Sequence, residues 1–344
     1  MELKQLCELQ GISGREELVR AAIYDECVRT LGKENVTIDR MGNVIAHKRG
    51  RDADAPHVMV SAHMDEVGLM VISATDEGLL HVRPIGGIDP RVLVSKRVKV
   101  GYAVPTRDGK PAQEPLSGVI GAMAIHQQTA EDRKRVLPID QLYVDIGAKD
   151  KDEALEKAPA GTPITFDTAF TPFGEGRILA RALDDRIGCY NMLRLLTCDA
   201  HGDVDFVFTC QEEVGCRGAK TAAYSVEPDI GIALDVTANG DTPETKLPAV
   251  KLGEGAAVKI MDRGSISNPD LVRDLLAAGE RAGVKTQREV LPFGGTDAMA
   301  MQVSRGGVIA GTVSIPCRYV HSACEVIDLR DVEAARALLL EYLK

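Results

Sequence analysis

The sequence predicts an α/β protein: a three-layer domain with a mixed, largely parallel sheet, plus an inserted small all-β domain. Three observations predict this fold class. From residue 178 onward, amphipathic helical segments alternate with apolar strand-like segments, which is typical of a sheet that helices cover on both faces. Residues 67–165 instead contain short β-rich segments separated by Gly, Pro and Asp turns. A length of 344 residues also favours two domains over one core.

The first elements belong to the larger domain. Apolar residues at three- and four-residue spacing predict an amphipathic helix over 15–31. Two strand-like runs follow around the Met-Gly-Asn turn at 41–43, and the apolar run 57–65 predicts a buried strand. Because these elements alone cannot cover a sheet, we expect 1–66 and 166–344 to form one discontinuous domain. Residues 67–165 then form the insertion, a barrel-like or PDZ-like all-β domain.

The second half of the chain supplies the remaining helices and strands. Helices are predicted over 184–196, 268–284 and 331–344, with a short one inside the insertion at 151–158. Strands are predicted over 204–211, 229–236, 256–262 and 308–315. Asn268 followed by Pro269 combines a capping residue with proline at the first helical position, which predicts where that helix begins.

Composition and charge argue against several classes of partner. Lys and Arg total 41 against 51 Asp and Glu, and the net charge of −10 repels nucleic-acid phosphates and anionic lipids. With no Trp and 4% aromatic residues, the chain has few stacking surfaces for single-stranded nucleic acid or sugar rings. No apolar run approaches the ~20 residues of a membrane span, and the N-terminal segment lacks the apolar core of a signal peptide. We expect no nucleic-acid partner and no membrane attachment.

The cysteines indicate a reducing compartment. Eight Cys occur without any C-x-x-C pair, and most have apolar neighbours. This pattern is typical of buried, reduced thiols. We therefore expect a cytoplasmic protein.

Five segments place acidic or histidine side chains at the ends of apolar runs. Charges so close to buried strands cost several kcal/mol unless they are paired, protonated or bound to a cation. Since the carboxyl ends of strands in an open α/β sheet face a common crevice, these segments can converge. The residues are His63 and Asp65, Asp184 and Asp185, Glu212 and Glu213, Asp235, and His321.

This set of side chains favours an open catalytic site with two metal ions. Imidazole nitrogens and carboxylate oxygens without thiolates suit Zn²⁺, Co²⁺ or Mn²⁺. Two ions about 3.5–4 Å apart need a bridging carboxylate, which the Asp184-Asp185 pair can supply. In H-x-D, Asp65 returns to the same side of the strand as His63 and can orient its imidazole. Adjacent glutamates point in opposite directions if extended, so one can bind metal while the other transfers protons.

Each feature alone has a simpler interpretation. An Asp-Asp pair before a helical run is typical of a helix N-cap, a Glu-Glu pair of a solvated strand end, and a single His of an ordinary hydrogen-bonded residue. Their occurrence together favours the catalytic site. Arg181, Arg186 and Arg217 are interpreted as counter-charges to the acidic cluster, with a clamp for a substrate carboxylate as the alternative. Five further histidines are interpreted as surface or turn residues: His47, His57, His81, His126 and His201.

Six motifs resemble the M42 family of metallo-aminopeptidases, which includes the tetrahedral aminopeptidases and proteins formerly named endoglucanase M. Their order and spacing resemble that family from residue 62 onward. The motifs are AHMDEVG at 62–68, ALDDRIGC at 182–189, QEEVGCRGA at 211–219, ALDVT at 233–237, GGTDA at 294–298 and HSACEVIDLRDVE at 321–333.

The resemblance implies a role for each candidate residue. Asp184 bridges two metal ions, His63 and Asp235 complete one site, and Glu213 and His321 complete the other. Glu212 is the general acid and base. Two neighbours of these residues have further roles: Asp65 is counted with the catalytic residues, and Asp185 supports the ligands through a cis peptide bond with Asp184.

The resemblance also implies a substrate loop and an assembly. Gly295, Thr296 and Asp297 are expected to contact substrate, and the inserted domain is expected to mediate oligomerisation, often to a dodecamer built from dimers. Cys216 replaces an apolar residue such as Leu, and Ala323 replaces a common Pro. Neither is expected to contact a metal ligand.

We therefore expect a di-metal-dependent aminopeptidase that removes N-terminal residues from peptides. A metal-bridging water loses its proton to Glu212, attacks the carbonyl, and the proton then passes to the leaving amine. The expected cofactors are two divalent ions per subunit, Zn²⁺ or Co²⁺ with Mn²⁺ as a further option. Expected partners are peptides with a free N-terminus and further copies of the chain, from dimer to dodecamer. A di-metal deacylase of N-acyl amino acids, a less favoured glycoside hydrolase and a non-catalytic binding protein are the alternatives.

Overall fold

The computed structural model describes residues 1–102, 114–243, 245 and 250–344. Most helices lie in the second half of the chain, and a short one, α3, lies within 67–165. In chain order they are α1 Leu3–Glu8, α2 Glu17–Leu31, α3 Lys151–Lys157, α4 Leu183–Leu195, α5 Arg217–Val226, α6 Pro269–Arg281, α7 Asp297–Met301 and α8 Leu329–Tyr342.

The strands form a large sheet and a barrel. In chain order they are β1 Val36–Ile38, β2 Val44–Lys48, β3 Val58–His63, β4 Gly68–Ala74, β5 Leu80–Ile85, β6 Arg97–Val100, β7 Leu116–Gly121, β8 Tyr143–Asp145, β9 Pro163–Phe166, β10 Thr171–Pro172, β11 Arg177–Ala180, β12 Val204–Thr209, β13 Ile230–Ala238, β14 Ala256–Met261, β15 Thr286–Val290, β16 Ile309–Arg318 and β17 Glu325–Asp328.

The large sheet is mixed, with a parallel centre. Its strand order is β1, β2, β12, β3, β13, β16, β17, β11 and β10, and β14 pairs with β16 and β15. The neighbouring pairs among β12, β3, β13 and β16 are parallel. Strands β2 and β17, which flank this centre, pair antiparallel to it. The predicted α/β class and mixed sheet are confirmed.

Helices cover both faces of this sheet. Along β3, Val60 packs into a core that also contains Leu183 and Ile187 of α4 and Leu338 of α8. The adjacent Met59 packs on the opposite face, in a cluster with residues of α5 and α7. Because successive strand residues point to opposite faces, a sheet buried on both sides needs apolar residues at every position. All six residues of β3 are buried, and its first three, Val58, Met59 and Val60, are apolar.

The residues between the two parts of the sheet domain form a closed barrel. Its strand order is β4, β5, β8, β7, β6 and β9, with antiparallel pairing throughout. A separate hydrophobic core fills it, which includes Leu80, Val98, Val144 and Phe166. This confirms the all-β insertion of barrel type. The barrel strands run from Gly68 to Phe166, and the domain boundaries at 67 and 165 stay a prediction.

The predicted helix over 268–284 begins where the sequence indicates. Asn268 Oδ1 accepts hydrogen bonds from the backbone N–H groups of Asp270 and Leu271, and Pro269 occupies the first helical position.

Helix α5 was not predicted, although its apolar residues Ala219, Ala222 and Ala223 are buried. Small alanine side chains gave a weak pattern of apolar spacing. Strands β11, β15 and β17 were also not predicted, because they are only four or five residues long.

Polar side chains gather at the carboxyl ends of the parallel strands. Strand β3 ends at His63, and the residues after β12 and β16 lie at the same edge of the sheet. Within the described residues, no helix is long and apolar enough to cross a lipid bilayer.

Candidate active site

Five of the predicted site residues meet at the carboxyl edge of the parallel strands. His63 Nε2 lies 3.0 Å from Asp184 Oδ1 and 3.8 Å from Asp235 Oδ1. Asp184 Oδ2 lies 3.3 Å from His321 Nε2, which is 3.1 Å from Glu213 Oε2. Asp184 therefore stands between two imidazoles, with one oxygen directed to each.

The donor atoms of this cluster fit divalent metal ions. Ligand atoms of His63, Asp184 and Glu213 lie within 4.8 Å of one another, as do those of His63, Asp185 and Asp235. Glu213 Oε1 is buried and has no hydrogen-bond partner among the described residues. Such an unpaired buried oxygen is costly, and a bound cation would satisfy it. Nitrogen and carboxylate oxygen donors are also those of open catalytic metal sites.

The electrostatics of the cluster favour a bound cation. Burial raises the pKa of Glu212 well above its usual value and raises the pKa of Asp235 to about 7. Burial also lowers the pKa of His321, but hydrogen bonds to Asp184 and Glu213 outweigh it and raise this pKa to about 12. Buried carboxylates that cannot keep their charge in a dry site are stabilised in the ionised form by a nearby metal ion.

Asp65 holds the segment that contains the two glutamates. Its carboxylate accepts hydrogen bonds from Ser13 Oγ at 2.6 Å and from the backbone N–H groups of Glu212 and Glu213 at 2.9 and 3.2 Å. The sequence analysis expected the Asp65 carboxylate to orient the imidazole of His63. In the structure, His63 Nδ1 lies closer to the Asp65 carbonyl oxygen, at 3.0 Å, than to the Asp65 carboxylate, at 3.6 Å. The main chain therefore orients the imidazole, because the carboxylate is already committed to the glutamate segment.

Asp185 supports the site from behind. Its carboxylate accepts hydrogen bonds from the backbone N–H of His63 at 3.1 Å and of Gly188 at 3.0 Å. The peptide bond between Asp184 and Asp185 is cis, as the family resemblance implies. A Cβ at Gly188 would lie 2.5 Å from the Asp185 carboxylate, so only glycine leaves room for this close approach.

Glu325 is a buried residue of the site that the sequence analysis did not identify. Its two carboxylate oxygens accept hydrogen bonds from the backbone N–H of Asp184 at 3.0 Å and of His321 at 2.9 Å. It therefore fixes the two segments that hold these side chains relative to each other. The available signal was a carboxylate at the start of the apolar run EVID, four residues after a candidate ligand.

Glu212 and Glu213 follow β12 in a loop and both face the same site. The expectation that they point in opposite directions required an extended strand, but β12 ends at Thr209. Glu212 Oε2 lies 4.0 Å from His63 Nε2, and Glu212 Oε1 accepts a hydrogen bond from Cys216 Sγ at 3.1 Å. Cys216 therefore contacts the proposed proton-transfer residue.

A cavity of about 700 Å³ opens onto this cluster. Gly295 and Thr296 line it, as do Arg263 and Phe293. The side chain of Asp297 instead accepts a hydrogen bond from Thr209 Oγ1 at 2.7 Å, in the buried region behind the cavity wall. The structure thus places two of the three predicted substrate contacts at the cavity, and places Asp297 where it supports the loop.

Arg181 and Arg186 act as structural counter-charges near the site. Arg186 is fully buried and donates to the carbonyl oxygens of Met64 and Leu6, both at 2.7 Å. Arg181 is buried against the carboxylate of Glu66. Neither side chain lines the cavity, which agrees with charge balance and not with a substrate clamp.

Comparison with known proteins supplies the family context of this site. A family model described as M42 glutamyl aminopeptidase matches residues 42–338. A putative aminopeptidase of Acetivibrio thermocellus is 37% identical over 341 residues, which cover 98% of this chain and 96% of the relative.

Two solved structures have the same fold over nearly the whole chain. The aminopeptidase of the archaeon Desulfurococcus kamchatkensis is similar with a TM-score of 0.90 and 36% identity, covering 99% of this chain and 93% of the other. The TET1 peptidase of Pyrococcus horikoshii has a TM-score of 0.84 and 34% identity, covering 99% and 98%. That peptidase assembles into a tetrahedron or a large octahedral shell.

Proposed function

Because this chain belongs to the M42 peptidase family and is an aminopeptidase, we propose that it releases N-terminal residues at a site that holds two divalent metal ions. The observation that supports this most directly is the position of Asp184, which directs one oxygen to His63 and the other to His321. A carboxylate in that position can bind both ions at once.

Each ion would have its own set of ligands. His63 and Asp235 would hold one, Glu213 and His321 the other, and Asp184 both. When bound, Zn²⁺ or Co²⁺, with Mn²⁺ as a further option, polarises the carbonyl of the scissile bond and makes water a stronger nucleophile at neutral pH. The unpartnered Glu213 Oε1 supports the second set.

Glu212 would transfer the proton during hydrolysis. Its carboxylate accepts a proton from the attacking water and returns it to the nitrogen of the leaving peptide. The hydrogen bond from Cys216 holds Oε1, so that Oε2 is the oxygen on the side of His63. Asp65 fixes the backbone of the same residue, and this preorganisation limits the reach of the carboxylate to one region of the cavity.

The acidic character of the cavity suits a substrate with a free α-amine. Asp184, Glu212, Glu213 and Asp235 all line it. A free α-amine can bind among the ions and these carboxylates as a metal ligand or a hydrogen-bond donor, whereas an acylated nitrogen has neither a basic lone pair nor a charge. This accounts for removal of terminal residues and not for cleavage within a chain.

A pair of substrates tests this proposal. We expect a panel of amino-acid anilides with added Zn²⁺, Co²⁺ or Mn²⁺ to contain substrates that are hydrolysed, and their N-acetyl derivatives to be hydrolysed at least about tenfold more slowly, since a lost charged contact is worth on the order of 1.5–3 kcal/mol. The measurement is kcat/KM by release of the aniline. Faster hydrolysis of the N-acetyl compounds would instead identify a deacylase.

We also propose that the protein works in the cytoplasm. All eight cysteines are free, and seven of them are buried. Burial raises the pKa of Cys7 and of Cys27 to about 12, which keeps these thiols protonated and unreactive. Unpaired, unreactive thiols suit a reducing compartment.

A homo-oligomer, from dimer to dodecamer, is the proposed assembly. The segment between β7 and β8 exposes large apolar side chains, among them Met123, Ile125 and Val136 at 53%, 67% and 54% exposure. An interface that uses this segment would bury these side chains in every copy of a symmetric assembly. The large shells of the Pyrococcus horikoshii peptidase agree with this assembly.

A charged residue in this segment should reduce the size of the assembly. We expect Ile125→Asp to give a smaller particle than wild type, because an aspartate in an interface loses its hydration without gaining a partner. Ile125→Leu keeps the apolar surface and should keep the particle size. Light scattering coupled to gel filtration measures the mass, and an unchanged mass for Ile125→Asp would place the interface elsewhere.

A further inference from the structure

A second cluster of potential metal ligands lies at the opposite edge of the large sheet. It contains His47 on β2, His57 directly before β3, and Asp205 on β12. His57 directly precedes β3 and His63 ends it, so six residue steps of extended chain separate the two histidines by about 20 Å. The cluster is therefore distinct from the active site.

The three side chains converge on one point. His47 Nδ1 lies 3.2 Å from Asp205 Oδ1, and His57 Nε2 lies 2.8 Å from Asp205 Oδ2. One ligand atom from each residue lies within 4.8 Å of the others. The pairing of strands produces this geometry, because His47 and Asp205 are direct partners in the antiparallel pairing of β2 and β12, and β3 is the parallel neighbour of β12 on its other side.

The surroundings of the cluster orient its donors. Asp203 Oδ2 lies 3.9 Å from His47 Nε2, the ring nitrogen that points away from the cluster, and Asp203 Oδ1 accepts a hydrogen bond from the backbone N–H of Gly50. This distance is too long for a hydrogen bond, but the negative charge of Asp203 on the far side of the ring favours a cation at the other ring nitrogen. The backbone N–H of His57 donates to Asp229 Oδ2 at 2.9 Å, which fixes the start of β3.

The carboxylate of the cluster is buried, whereas its two imidazoles are open to solvent. The side chain of Asp205 is only 9% exposed, whereas those of His47 and His57 are 40% and 27% exposed. An ion can therefore reach the site from solvent, and water can fill the coordination positions that the protein leaves open. Two imidazoles and one carboxylate are a common set of protein ligands for Zn²⁺.

We propose that His47, His57 and Asp205 bind one Zn²⁺ or similar transition-metal ion, which links strands β2, β3 and β12 at the edge remote from catalysis. Binding requires that the ring nitrogens facing Asp205 carry no proton: an imidazolium releases its proton to solvent, whereas a neutral ring keeps its single proton on the other nitrogen. The ion would have a structural role, since no cavity lined by the catalytic residues includes these side chains.

The number of bound zinc ions tests this proposal. Full-length protein is dialysed to equilibrium against ZnCl₂ at fixed free concentration, and zinc per chain is measured by mass spectrometry. We expect His57→Gln and His47→Asn each to bind about one ion fewer than wild type, because a site of three ligands loses most of its affinity with one of them. Either variant suffices if the other fails to fold.

His201→Gln is the matched control. His201 is an exposed histidine whose Nε2 lies 3.9 Å from an Asp52 oxygen, so it resembles the cluster in chemistry, but among the described residues it belongs to no group of three potential metal ligands. This variant should keep the wild-type zinc content. Equal zinc in wild type and both cluster variants, or an equal loss in His201→Gln, would overturn the proposal. The difference in zinc content between wild type and the cluster variants does not depend on how many ions the active site binds. This result is therefore separate from the test of the proposed function.

Discussion

Replacement of Glu212 with Gln is expected to lower kcat by about 10²- to 10⁴-fold while both metal ions stay bound. Glutamine has the shape of glutamate and can still accept the hydrogen bond that Cys216 donates, but it cannot take a proton from water. The loss therefore falls on the proton-transfer step. Metal content by mass spectrometry, measured on the same samples as kcat, separates this loss from a loss of ions.

Glu213→Gln is the matched variant, since it makes the same chemical change one residue away. Its side chain contacts His321 and is a proposed ligand, so the neutral amide should weaken the binding of one ion. Part of its activity should return at high metal concentration, whereas Glu212→Gln should not respond. If Glu212→Gln loses an ion and Glu213→Gln keeps both, the two roles are exchanged. Full metal content and full rate in both variants would place catalysis at other residues.

Removal of metal should abolish peptide hydrolysis. Dialysis against a strong chelator is expected to reduce turnover to background, and Zn²⁺, Co²⁺ or Mn²⁺ should restore it, because polarisation of the carbonyl and activation of water both require the ions. The chelated protein should also unfold at a lower temperature, since repulsion between the buried carboxylates of Asp184, Glu213 and Asp235 is no longer compensated.

The decisive control is a sample whose metal content has been measured. Full turnover by protein with less than about one ion per ten chains would contradict a metal mechanism. Recovery on adding Mg²⁺ alone would contradict the ligand assignment, because Mg²⁺ prefers an all-oxygen octahedral site and the cluster contains the imidazoles of His63 and His321.

Much of the fold could be predicted from local pattern. The helix that begins after Asn268 has its own capping residue and proline, and α2 has regular apolar spacing, so both can be recognised without knowledge of distant contacts. The alternation of helices with apolar strands indicated the parallel centre of the sheet. Strand β17 was missed because it has only four residues, and helix α5 was missed because the residues that it buries are mostly alanines. The stability of each element comes from the strand or helix that it contacts.

The candidate site could be predicted where charge stands at the end of an apolar run. His63, Asp235 and His321 meet this condition, and topology alone brings the ends of parallel strands together. The residues that hold these side chains in position could not be predicted in the same way. Glu325 binds backbone N–H groups of Asp184 and His321, and such contacts join segments whose distance is known only from the folded chain.

The order of the ligands along the chain has a consequence for protein synthesis. The proposed set begins at His63 and ends at His321, and Glu325, which accepts hydrogen bonds from the backbone N–H groups of Asp184 and His321, follows it. No earlier portion of the chain contains the second imidazole. A ribosome-bound chain therefore has an incomplete set of proposed ligands until residues 321–325 have emerged.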